Sequence, residues 1–128
     1  MIKGFFRFPS IVKSLFPGSV VRIRNAGDNV YLTFDDGPNP GSTEAIIDTL
    51  SLSGVDKAVF FCTGENIEQY PAQAGMIREK AYSLANHGYS HIDGWKSSRK
   101  EYVLNCIKGA ELTGSNYFRP PYTHITPQ

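Results

Sequence analysis

The apolar positions of this chain follow two alternating periods. Residues 20–23 and 30–34 are short β-prone runs, separated by the turn-rich residues 25–29. Residues 58–62 are apolar throughout, as expected of a strand covered on both faces in a parallel sheet. Residues 82–85 form a weaker strand candidate, and Tyr117 and Phe118 a last short one. Helical spacing fills the intervals. Ser42 or Thr43 is expected to cap a helix with Ile46, Ile47 and Leu50 on one face, ending near Gly54. Pro71 suits the first turn of a second helix through Lys80, with Ala74, Ile77 and Ala81 in register. Residues 98–101 have the form of a capping box. The helix they open carries Val103, Cys106, Ile107 and Ala110, and Gly114 can end it.

Alternating strands and helices are the signature of an α/β fold with parallel strands. In such folds chemistry gathers at the carboxyl ends of strands. The polar clusters of this sequence fall at those ends. A length of 128 residues fits one domain, and 41% apolar content suits a packed core. A net charge of +1 excludes a general attraction to nucleic acid or acidic membranes.

No run is long enough for a transmembrane segment. Residues 1–19 read as a basic, partly apolar N-terminal arm, and residues 20–128 as the domain. Lys3, Arg7, Pro9 and Lys13 interrupt the arm, which lacks the continuous apolar stretch of a signal peptide. Cytoplasmic and exported locations both stay open. Cys62 and Cys106 stand outside any CxxC pattern. Cys62 is expected to be a buried free thiol, with a disulfide as the alternative in an exported protein.

Three clusters carry candidate chemistry. The first is Thr33-Phe34-Asp35-Asp36-Gly37-Pro38. Adjacent carboxylates repel, and a nearby cation relieves the cost. Both can face one site only if the chain bends, which Gly37 and Pro38 allow. Taken alone, this cluster is better explained as a solvated turn, because Asp-Gly and Gly-Pro are ordinary turn dipeptides. The second is His87-Gly88-Tyr89-Ser90-His91. Two imidazoles four residues apart can converge on one metal, and with a carboxylate they make a site with open positions. The third is Phe118-Arg119-Pro120-Pro121-Tyr122, where the prolines stiffen the chain around Arg119 and Tyr122.

Taken together and in this order, the three clusters resemble the NodB-homology polysaccharide deacetylases, carbohydrate esterase family 4. The resemblance runs from about Val30 to Tyr122 and includes Gly64-Glu65-Asn66 and Asn86. It implies an irregular (β/α) barrel, of which 128 residues are expected to supply only the N-terminal part, since a full barrel takes about 250. It implies metal-dependent removal of N-acetyl groups from a GlcNAc-containing glycan, chitin-like or peptidoglycan. By resemblance Asp35 is the catalytic base and Asp36, His87 and His91 are the metal ligands. Arg119 orients the base, and the Tyr122 backbone N–H helps hold the oxyanion. Zinc is the expected ion, with cobalt or another divalent ion as substitute.

The family's general acid comes from a later Leu-x-His motif, absent from these 128 residues, and His124 matches no family motif. A catalytically impaired metal- or glycan-binding remnant is therefore the alternative reading. A second copy of the chain is a candidate cover for an open sheet edge. Residues 80–85 depart from the family pattern, and so does Thr123, where glycine is common.

Overall fold

A computed structural model describes residues 14–20, 23 and 27–124. The chain divides into two compact units, Met1–Val30 with Pro127–Gln128, and Tyr31–Thr126. Most of the arm expected over residues 1–19, and part of the run at 20–23, lie outside the described residues.

The larger unit is α/β. Its elements are β1 (Thr33–Gly37), α1 (Ser42–Leu52), β2 (Val59–Cys62), α2 (Gly64–Gln69), α3 (Pro71–Glu79), β3 (Ser83–Asn86) and α4 (Arg99–Thr113), then a 3₁₀ turn at Pro121–Thr123. The strands form a parallel sheet in the order β1-β2-β3. Thr33 pairs with Val59 and Val59 with Ser83. This is the arrangement of a partial barrel of parallel strands and crossover helices.

Period-2 alternation sorts the two faces of the sheet. Phe34, Phe60 and Leu84 share one face by register. There Phe60 stacks on Phe34 at 5.0 Å and meets Tyr82 at 5.8 Å. Ile47 and Leu50 of α1 and Ala74 and Ile77 of α3 complete this core. Asp35, Phe61 and Ala85 share the opposite face, which carries the chemistry.

Several expectations need correction. The first regular strand is Thr33–Gly37, displaced toward the carboxylates, while Val30 and Tyr31 are exposed. Pairing with β2 fixes that register, beginning where Val59 N–H donates to Leu32 O. Neither Ser42 nor Thr43 is the N-cap of α1. Gly41 holds that position at φ 80°, and Thr43 Oγ1 instead accepts from Asn39 N–H. Ala81 lies beyond α3, exposed and at φ 59°, because the helix ends at Glu79. Tyr117 and Phe118 form no strand, and only an isolated parallel bridge joins Phe118 to Asn86. Helix α2 had no periodic signal, being six residues long.

The largest correction concerns α4. Ser98 caps it through Oγ, which accepts from Glu101 N–H, and Gly114 ends it at φ 67°. Its inward face is not the expected Val103 and Ile107 stripe, since both are exposed. Gly109 is buried instead, with Asn105 and Cys106 partly covered. The helix is rotated because the loop it covers needs hydrogen-bond partners and close approach more than apolar contact.

Both cysteines are free thiols. Burial pushes Cys62 up to about 12 and Cys106 up to about 11. Cys62 is therefore expected to resist maleimide at neutral pH until the protein unfolds, as mass spectrometry of labelled peptides would report. Ile77→Ala, at a fully buried position, is expected to cost about 2–5 kcal/mol in urea unfolding.

Candidate metal centre and active site

Asp35 and Asp36 are adjacent, yet they serve different partners. The β1–β2 register shifts between Asp35 and Gly37, which leaves Asp36 as a bulged residue. Asp36 takes φ 66°, a left-handed conformation that aspartate tolerates better than most residues. Its carbonyl is held by two amide donors, Asn39 Nδ2 and Asn66 Nδ2, both at 2.9 Å. The kink breaks the alternation of the strand and sends the two carboxylates along separate paths.

Asp35 receives Arg119. The guanidinium Nη1 donates to Asp35 Oδ1 at 2.6 Å and to Thr33 Oγ1 at 3.0 Å. The guanidinium carbon lies 4.0 Å from the centre of the Phe61 ring. Phe61 and Thr33 thus fix the plane of Arg119, and the short charged bond fixes Asp35.

Asp36 receives two imidazoles. Its Oδ1 lies 3.2 Å from His87 Nε2 and 2.9 Å from His91 Nε2. One donor atom from each of the three residues falls within 4.8 Å of the others. His87 is almost wholly buried, whereas the Asp36 side chain is 66% exposed, so the site opens on one side.

The chemistry of these donors fits a divalent cation. His87 Nδ1 meets the Arg119 carbonyl at 2.7 Å. A carbonyl only accepts, so Nδ1 carries the proton and Nε2 of the neutral ring presents a lone pair. That lone pair faces a carboxylate oxygen, an arrangement that needs a cation or a proton between them. The backbone acceptor behind the imidazole is also the support usual for a metal-bound histidine.

Asn86 and α4 build the loop that carries both histidines. Asn86 Nδ2 donates to Cys106 O, and its Oδ1 accepts from Gly88 N–H, both at 2.8 Å. Asn105 Oδ1 accepts from Tyr89 N–H, and Asn105 Nδ2 donates to Ser90 Oγ, again at 2.8 Å. The first N–H groups of α2, from Gly64 and Glu65, donate to Gly88 O and Tyr89 O. Helix α2 therefore spends otherwise unpaired amides on the histidine loop. Arg119 N–H donates to Asn86 O, which ties the third sequence cluster to the second.

Tyr122 completes the group. Its ring meets His91 edge-on at 4.8 Å, and its backbone sits at φ 57°. The structure thus brings Asp35, Asp36, His87, His91, Arg119 and Tyr122 into one neighbourhood. Thr33, Phe61, Asn86 and Asn105 support them, and sequence reasoning assigned none of these a role there. Asn105 left one signal, as asparagine is a poor helix former in the middle of a helix.

Comparison with known proteins places the chain. Residues 22–128 match the family model for polysaccharide deacetylase. A peptidoglycan-N-acetylglucosamine deacetylase of Bacillus cereus is 38% identical over 102 residues, covering 75% of this chain and 37% of the relative. A chitooligosaccharide deacetylase of Rhizobium leguminosarum bv. trifolii is 40% identical over 65 residues, covering 51% of this chain and 30% of the relative. Among solved structures, the peptidoglycan N-acetylglucosamine deacetylase Bc1960 superposes with a TM-score of 0.72 at 36% identity, covering 77% of this chain and 48% of that one. A family 4 carbohydrate esterase from Streptomyces lividans, in complex with acetate, gives 0.71 at 26% identity, covering 78% and 54%. The chain therefore spans about a third of these curated relatives and about half of these solved chains.

Two substitutions test how the site is built. A Cβ at Gly109 would strike Asn86 Oδ1 and lie 2.7 Å from the Gly88 carbonyl. Gly109→Ala is expected to cost about 1–3 kcal/mol by denaturant unfolding and to weaken zinc binding by calorimetry. Thr123 holds φ 59°, a costly conformation for a β-branched residue. Thr123→Gly is expected to raise stability by about 1 kcal/mol, the order of the left-handed penalty it relieves.

Proposed function

We propose that this chain, which belongs to the polysaccharide deacetylase family, carries the water-activating half of an N-deacetylase site for GlcNAc-containing glycans. The observation that carries the reading is the division of labour between adjacent carboxylates. Asp36 faces two imidazole nitrogens, whereas Asp35, 37% exposed, is paired with the Arg119 guanidinium. Asp36, His87 and His91 would hold a divalent ion, zinc being the expected one. When bound, such an ion acts as a Lewis acid that lowers the pKa of water and polarises a carbonyl.

The remaining steps belong to the chain's own side chains. Asp35 takes a proton from the attacking water as general base. Arg119 orients Asp35, since its guanidinium is itself pinned by Thr33 and Phe61. The backbone N–H of Tyr122 donates to the oxyanion that forms on the acetamide carbonyl. Tyr122 itself sits in a left-handed turn, at φ 57°. The resemblance to peptidoglycan and chitooligosaccharide deacetylases supports a β-linked GlcNAc polymer as the substrate class.

The test is acetate release from N-acetylchitotetraose and from peptidoglycan, with zinc or cobalt and with chelator. Release that depends on metal is expected, and none under any metal would overturn the reading for this chain. His87→Ala is expected to abolish zinc binding. Asp35→Asn is expected to keep zinc while losing about 10²–10⁴ in turnover. A fully active Asp35→Asn protein would remove Asp35 from the role of base.

A further inference from the structure

Next to the metal centre stands a second group of side chains that the proposed chemistry does not use. Trp95 and His124 stack face to face, with ring centroids 3.7 Å apart and planes 3° from parallel. Asp93 holds both residues. Its Oδ1 lies 2.7 Å from His124 Nδ1 and accepts from Trp95 N–H at 2.9 Å. Burial acts to raise the Asp93 carboxyl, but these bonds, with the charges of His124 and Lys96, outweigh it and hold the group below its ordinary value. The Asp93 side chain is only 13% exposed, so the stack has a sunken foundation. Gly94 makes the approach possible, because a Cβ there would meet the His124 carbonyl. Tyr102 Oη reaches the same carbonyl at 3.4 Å.

This stack is continuous with the metal site. His91 meets Tyr122 at 4.8 Å, and Tyr122 meets His124 at 5.8 Å. The rings therefore form a continuous series of contacts from a proposed metal ligand to Trp95. Tyr122 and Trp95 are 59% and 65% exposed, so both rings offer surface to a ligand.

We infer that Trp95, backed by His124 and Asp93, is a stacking platform for a sugar ring of the glycan next to the one whose acetamide is attacked. This rests on the glycan reading of the preceding section. A GlcNAc ring is uncharged and offers an apolar C–H face, so a flat indole suits it better than an ion pair would. Trp supplies a large rigid surface at low entropic cost, the property that makes it frequent at binding hot spots. His124 is a positioning residue: Asp93 fixes its plane, and that plane fixes the indole.

The chain contains one tryptophan, so its intrinsic fluorescence reports Trp95 alone. Titration with N-acetylchitotetraose is expected to give a saturable change with a blue shift. By calorimetry, Trp95→Ala is expected to weaken binding of that oligosaccharide about tenfold, roughly one decade in Kd. Trp95→Phe is expected to stay within about threefold, because a flat ring remains. His124→Ala should lose part of the affinity, and His124→Phe should recover it. Binding seen by calorimetry with no response from Trp95, or equal affinity in Trp95→Ala, overturns the platform, as does absence of any binding. Acetate release without a Trp95 response overturns the platform and leaves the deacetylase reading standing. A Trp95 response without acetate release supports the platform and overturns the hydrolase reading.

Discussion

Two like charges on neighbouring residues of one strand cannot share a small site at low cost. In this protein the conflict is resolved by a bulge. The left-handed turn at Asp36 separates its carboxylate from that of Asp35, so one meets two imidazoles and the other a guanidinium. Each negative charge then has a different compensation. Without the bulge the carboxylates would project to opposite faces of the sheet, and no common neighbourhood would exist.

The surrounding structure reads as support for that separation. Asn39 and Asn66 hold the bulged carbonyl, while Asn86 and Asn105 hold the histidine loop. Side-chain amides dominate because each donates and accepts at once, which suits irregular backbone with unmet groups of both kinds. Arg119 is the link between halves of the site. Its side chain orients Asp35, its carbonyl fixes the tautomer of His87, and its N–H secures Asn86. One residue thus couples the proposed base to a proposed metal ligand, His87, through its own carbonyl.

The outer face of α4 shows the same priority. Its apolar residues Val103, Leu104 and Ile107 are exposed, and the buried side is given to Gly109 and Asn105. A helix packed for hydrophobic area alone would turn the other way. Close approach to Asn86 and Gly88 decides the rotation, since a side chain at Gly109 has no room.

The sequence by itself determined the parallel α/β order, the buried run at 58–62, the start and end of α4, and the six residues that gather at the site. These are local matters: periodicity, a capping serine, a terminal glycine, and side-chain types that chemistry needs. Tertiary structure alone decided where β1 begins, which face of α4 is buried, and that α2 exists to serve the histidine loop. It alone also placed Trp95 flat on His124, residues far apart in the chain and silent as a motif. The reason is physical. Registers, helix rotations and ring stacks depend on which distant groups need partners or space, and no window along the chain contains that information.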